Sequence, residues 1–261
     1  MKILCWIVFC LALNPVIHAQ TSSALSPGES YTYRVSWGPF IGAGEISLAA
    51  DTETKDGLER LRITTRTRSR GVIRALFPFD GSGDSFFDPR DGRLLEANAT
   101  TQARSDKTDA SILFDYRTAK AVYTDHLKPK RNTTLAVPEG QFSDFFTTLI
   151  QARQWNLSLG QSREVYVLFD DDFYHLKITA ERFEKISTAS GQRSALLLMP
   201  RMVGKPKGMF RKGGEVRVWI ADDATHLPLR FEVKLQVGTV VALLTEHTDA
   251  QSPGVAVATV Q

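Results

Sequence analysis

One feature constrains this chain more than any other. From about residue 31 to residue 246 its hydrophobicity repeats every second residue, the period of a half-buried β-strand. Tyr31, Tyr33, Val35 and Trp37 alternate with polar or small residues, Gly38-Pro39 interrupts, and 44–51 resumes the pattern. Further strands are predicted over 58–68, 94–101, 110–116, 121–126, 133–137, 164–169, 174–183, 195–200, 215–220, 227–237 and 240–246. Asp56-Gly57 and Asp91-Gly92 suit two-residue type I′ hairpins, and Gly238-Thr239 suits type II′. Short strands at regular spacing with such turns predict a mostly β chain, an antiparallel barrel or sandwich.

One stretch departs from the period. Phe142, Phe145, Phe146, Leu149 and Ile150 follow the i, i+3, i+4, i+7, i+8 spacing of an amphipathic helix, with Gln141 or Ser143 as its start and Gly160 beyond its end. The spacing predicts a helix over Phe142–Arg153, and GVIRALF at 71–77 suits a second, short one. The expected organisation is one β-rich domain over 29–248. Its two halves, about 29–137 and 160–248, are linked by the helix 142–153.

The N-terminus reads as a cleavable signal peptide. Lys2 is a positive start, Ile3 to Leu13 an apolar run too short to span a bilayer, and Asn14-Pro15 a break before Ile17-His18-Ala19. Cleavage is expected after Ala19, giving a soluble product in the periplasm or outside the cell. Residues 20–28 are a flexible lead-in and 249–261 a weakly ordered tail. Cys5 and Cys10 both fall in the signal peptide, and Val8-Phe9 before Cys10 argues against a lipid anchor. The mature chain then has no thiol, which removes disulfides, thiolate metal sites and cysteine nucleophiles from consideration. A net charge of +3 over 261 residues is too small for a dedicated nucleic-acid binder.

Arg60, Arg62, Arg66, Arg68 and Arg70 share one parity and project from one face of a strand. With Asp56-Gly57 as a two-residue turn, paired positions place Arg60 opposite Glu53, Arg62 opposite Asp51, Arg66 opposite Ser47 and Arg68 opposite Glu45. The stripe therefore reads as a neutralised face. A second basic stretch, RMVGKPKGMFRK at 201–212, reads as a long loop whose apolar residues could touch a membrane or an acidic ligand.

Catalytic patterns are lacking. His126, His175, His226 and His247 are scattered, with no HExxH, no GxSxG, no phosphate loop and no dinucleotide fingerprint. Asp170-Asp171-Asp172, Asp222-Asp223 and the DGSGD at 80–84 are better read as turn residues than as metal ligands. No catalytic residue, metal or cofactor is assigned.

Three segments together carry a resemblance: YTYRVSWGPFIGAGEISLAA, the helix SDFFTTLIQAR followed by LSLGQ, and GGEVRVWIADDATHLPLRFEVKLQVGTVVALL. Their order resembles the bacterial exported family called domain of unknown function 3108, over roughly Gly28 to Glu246. The resemblance implies an envelope location and a β-rich fold, and no activity. Within its late block, Arg230 is expected to pair with Asp222 or Asp223. The chain is therefore expected to be a non-enzymatic envelope protein. It would bind an apolar or amphipathic ligand, or a partner protein, in a β cavity through Phe145, Phe146, Met209, Phe210, Arg211 and Lys212. The alternatives are a structural or assembly factor of the envelope, and a glycan or ester hydrolase.

Overall fold

The structure is a computed structural model that describes residues 24–104, 106–188 and 191–250. The expected signal peptide, its cleavage point, both cysteines and nearly all of the tail lie outside the described residues.

The described chain is mostly β. Its strands are β1 Ser30–Trp37, β2 Phe40–Lys55, β3 Leu58–Ser69, β4 Phe79–Phe87, β5 Leu94–Ala103, β6 Asp106–Asp115, β7 Lys120–Asp125 and β8 Thr133–Ala136. There follow β9 Phe142–Asp144, β10 Ser162–Phe169, β11 Asp172–Thr188, β12 Gly191–Met202, β13 Glu215–Ala221, β14 Pro228–Leu235 and β15 Gly238–Thr248. Helices α1, Gly71–Leu76, and α2, Phe145–Gln151, interrupt them. All fifteen strands form one sheet in the order β8-β7-β6-β5-β4-β3-β2-β1-β15-β14-β13-β12-β11-β10-β9. Nearly every neighbour in space is a neighbour in sequence, because short turns can only fold a strand back onto the one before it. The exception is the β1–β15 pairing; β9 and β10 are consecutive, but their pairing is short and parallel.

The two sheet edges, β8 and β9, are consecutive in the chain, and side chains bring them together. The Phe142 ring packs at 5.2 Å from Phe114 of β6 and 5.0 Å from Phe173 of β11. The Tyr123 hydroxyl of β7 donates to Asp170 beyond β10 at 2.9 Å. Arg131, before β8, reaches Asp170 at 2.5 Å and Asp171 at 3.1 Å across the same seam. The sheet thus curls into a barrel-like wrap whose seam is held by rings and charges instead of a ladder.

Helix α2 fills the wrap. Asp144 caps it by accepting from the Thr147 N–H at 2.9 Å, which satisfies one of its orphan donors. Ile150 is fully buried. Phe146 faces the inner surface of β3–β6, and Arg153, in the turn after the helix, reaches Tyr31 of β1 at 2.5 Å. The helix is shorter than its periodicity predicts. Phe142 belongs to β9, and Asp144, not Gln141 or Ser143, caps the helix. The reason is register: Phe142 pairs beside Tyr166 and is needed at the seam.

The arginine hairpin has the predicted register, with Glu53 opposite Arg60, Asp51 opposite Arg62 and Glu45 opposite Arg68. Asp56 and Gly57 both have positive φ, as a type I′ turn requires. Contacts follow register only in part. Arg60 binds Glu53 at 2.5 Å and Arg68 binds Glu45 at 2.9 Å, whereas Arg62 turns to Asp84 of β4 at 2.8 Å. The turn at Asp91-Gly92 is longer than a two-residue hairpin, closing from the Asp88 N–H to the Arg93 carbonyl. In the last hairpin Leu235 pairs with Gly238, so Gln236-Val237 is the turn and Gly238 lies in the strand. Arg230 does not meet Asp222 or Asp223. It pairs with Glu232 and lies over the Trp219 ring at 5.0 Å. Asp223 instead takes Thr225 and Arg193, which hold its carboxyl down at about 2. Ala24 and Leu25, which the sequence places in the lead-in, are buried.

Candidate ligand-binding cleft

The site grows out of two rows of paired residues. One runs Thr65, Gly83, Ala99, Ala110 across β3, β4, β5 and β6, and the next runs Ile63, Ser85, Ala97, Ile112, Tyr123 from β3 to β7. Both lie on the inward face, and most members are small. Elsewhere the inward face carries bulk, such as Tyr31, Tyr33 and Leu48, and the interior is filled. Where the small residues meet Phe146 of α2 and Leu168 of β10, they leave a cleft of about 180 Å³. Ala99 is exposed although it lies on that inner surface, so the cleft opens to solvent.

The polar groups at its margin are committed elsewhere. Asp144 caps α2, and Asp170 accepts from Tyr123 and Arg131. Burial, reinforced by the hydrogen bond to Asp170, raises the Tyr123 hydroxyl well above its ordinary value, so it stays a donor. The cleft thus offers an apolar floor and roof beneath a rim whose polar groups are already hydrogen-bonded.

A larger concavity of about 680 Å³ lies on the arginine-bearing face, lined by Glu45, Arg66, Arg68, Asp80, Gln102 and Lys107. Its charges largely satisfy one another: Glu45 takes Arg68 and Arg70, and Asp80 takes Arg74.

Of the six residues the sequence singled out, only Phe146 lines the cleft. Phe145 packs edge-on against Phe146 at 5.3 Å and Phe169 at 5.9 Å. Phe169 in turn meets Tyr174, which meets Phe210, so an unbroken line of rings connects the helix to the basic segment. That segment is not a free loop with apolar tips. It contains a short 3-10 stretch, Gly208–Gly213, that buries Phe210 and half-buries Met209, while Arg211 and Lys212 stay exposed. Lys207 fastens it to Asp172 at 2.5 Å.

The histidines remain apart. His175 meets Glu164, and His247 meets Glu29. Ser111 Oγ lies 3.3 Å from His126 Nε2, but no carboxylate among the described residues contacts that imidazole. The pair lacks the orienting third group of a nucleophilic site.

The small-residue floor was missed because β4 was missed. Between its phenylalanines β4 reads DGSGDS, which has no strand former and whose glycines and aspartates imitate a turn. The available signal was small residues at every second position: Gly81, Gly83 and Ser85 in β4, then Ala97 and Ala99 in β5.

Fold and cleft together define a single-sheet, barrel-like β protein with an internal helix. The chain belongs to the family described as "Protein of unknown function (DUF3108)", whose model matches residues 32–245. Among solved structures it is similar to a β-barrel-like protein of domain of unknown function DUF1849 from Brucella abortus. The TM-score is 0.52 at 10% identity, covering 87% of this chain and 100% of that one. It also matches a "putative lipoprotein" from Parabacteroides distasonis at TM-score 0.30 and 8% identity, covering 87% of this chain and 99% of that one. No curated protein matches. Among the described residues, no helix is long and apolar enough to cross a membrane.

Proposed function

We propose that this protein is an exported envelope protein that holds the apolar part of an amphipathic ligand in the cleft beneath Phe146. The observation that carries the reading is the patch of small residues on an inner face otherwise packed with bulky ones. A cleft of about 180 Å³ is smaller than the roughly 300–1,000 Å³ of most small-molecule sites. It therefore suits one slender acyl chain better than a ring system. The ligand's polar end would sit among Asp144, Asp170 and Tyr123, where hydrogen-bond donors are better received than anions. Arg211 and Lys212 would lie outside the contact.

The test is titration with a fluorescent fatty alcohol, whose hydroxyl can donate to the rim carboxylates and whose emission rises on burial. Wild-type protein is expected to bind it saturably. Ala99→Phe, which fills the cleft from an exposed position, is expected to weaken binding at least ten-fold with an unchanged melting temperature. Equal binding by the two proteins, or none by the wild type, would remove the reading.

A further inference from the structure

Three segments meet at one end of the barrel, and all three carry exposed apolar side chains. The start of β2 brings Phe40 and Ile41, α1 and the residue after it bring Val72 and Phe77, and the β14–β15 turn brings Val237. Ile41 is 82% exposed, Val237 71% and Val72 64%, values that large apolar side chains seldom reach together. Trp37 ties the group into one surface. Its ring meets Phe77 edge-on at 5.6 Å, and its indole N–H donates to the Val237 carbonyl at 3.2 Å.

Cations rim this surface. Arg70 and Arg74 flank α1, and the Arg104 guanidinium lies 5.9 Å from the Phe77 ring centre while donating to the Leu76 carbonyl. With Arg68, four guanidiniums stand against two carboxylates, because Arg68 and Arg70 share Glu45 and Arg74 takes Asp80. Arg104 has no ion pair among the described residues. The next acid, Asp106, is taken by Lys128.

We infer that this end of the barrel docks on an anionic lipid bilayer. The composition is that of an interfacial surface, with apolar tips to enter the headgroup boundary, an indole at its depth and arginines for phosphates. The excess positive charge opposes the meeting of two copies end to end, since their arginines would face each other. Strand pairing puts both ends of the described chain at the opposite pole: Ser30 lies beside Thr248, whereas Trp37 lies beside Val240. The inference stands apart from the cleft.

Flotation with vesicles of the chain from Gln20 onward, without the apolar run of residues 3–13, tests it. Retention is expected on vesicles of phosphatidylglycerol and phosphatidylethanolamine, at least ten-fold weaker on phosphatidylcholine, and falling as salt is raised. The double variant Ile41→Asp/Val237→Asp is expected to lose at least ten-fold of the anionic binding with an unchanged circular dichroism spectrum. Should that variant not fold, Arg104→Glu on the rim replaces it with the same expected direction. Ala99→Phe is expected to bind vesicles as the wild type does, which separates docking from ligand capture. No retention, equal retention on both vesicle types, or unchanged binding by the folded variants would overturn the inference. So would a dimer in sedimentation velocity that Ile41→Asp/Val237→Asp dissolves, which would assign the surface to a second copy.

Discussion

Replacing Glu29 with alanine is expected to destabilise the protein by about 3–5 kcal/mol, the cost of removing one partner from a buried ion pair. Glu29 is 4% exposed. It accepts from the Tyr31 hydroxyl at 2.6 Å, the Ser26 N–H at 3.0 Å and Arg153 at 2.7 Å, with His247 at 3.2 Å. These partners come from the segment before β1, from β1, from the turn after α2 and from the end of β15. One carboxylate thus fastens the internal helix to the middle of the sheet. Without it the half-buried Arg153 guanidinium loses its carboxylate and keeps only the Tyr31 hydroxyl and the Ala24 carbonyl. A loss below about 1 kcal/mol in denaturant unfolding, the worth of an exposed pair, would dissolve this clamp.

The same carboxylate gives the clamp a pH dependence. Burial alone would raise its pKa, but the hydrogen bonds from Arg153, Tyr31 and Ser26 outweigh burial, and the group lies below its ordinary value of 4.5. A carboxyl depressed in the folded state contributes stability that is complete above the unfolded pKa and is lost as pH falls through the folded one. Asp84, Glu96 and Asp223 are depressed too, so the wild type alone cannot isolate Glu29. The difference between wild type and Glu29→Gln can. That difference is expected to be constant between pH 6 and pH 8 and to shrink below about pH 4.5. A difference that grows on acidification would reverse the assignment.

Phe142→Ala is the second large effect, expected at about 3–5 kcal/mol, as for other buried rings truncated to alanine. Phe142 is 6% exposed and touches Phe114, Tyr116 and Phe173. Its loss empties the junction where the two sheet edges meet without a backbone ladder. The damage should therefore be directional. Amide exchange is expected to accelerate in β7, β8 and β9 and to stay slow in β1, β2 and β15, whose ladders are complete on both sides. Uniform acceleration would mean that the seam is not a separable unit.

How much of this was legible beforehand depends on which interaction decided each element. The β2–β3 register could be counted from Asp56-Gly57, because a two-residue turn leaves no freedom. The charge partners were less legible. Arg62 chose Asp84 over its opposite Asp51, and Asp84 lies on a strand that propensity does not reveal. The helix was visible from its apolar stripe, but Phe142 satisfies the helical spacing and the seam equally well, and only tertiary contact decides between them. The cleft was least legible, since it is made by missing side chains on strands that become neighbours only after folding. Met209 and Phe210 looked like tips because Gly and Pro surround them, yet Tyr174 covers Phe210.

The strand order also fixes a sequence of events in time. β1 can form its hairpin with β2 as soon as both exist, but its other edge has no partner until β15 is made. The contact that seals them, Thr245 to the Thr32 carbonyl, spans 213 positions. Loop entropy rises only slowly with length, by about 0.6 kcal/mol per doubling, so this closure costs the finished protein little. Its burden is kinetic, because distant pairings form late and slow a folding chain. A chain made from its N-terminus would carry β1 as a bare edge for most of its synthesis, open to pairing with other chains. The central strand of the mature sheet is the exposed margin of the nascent one.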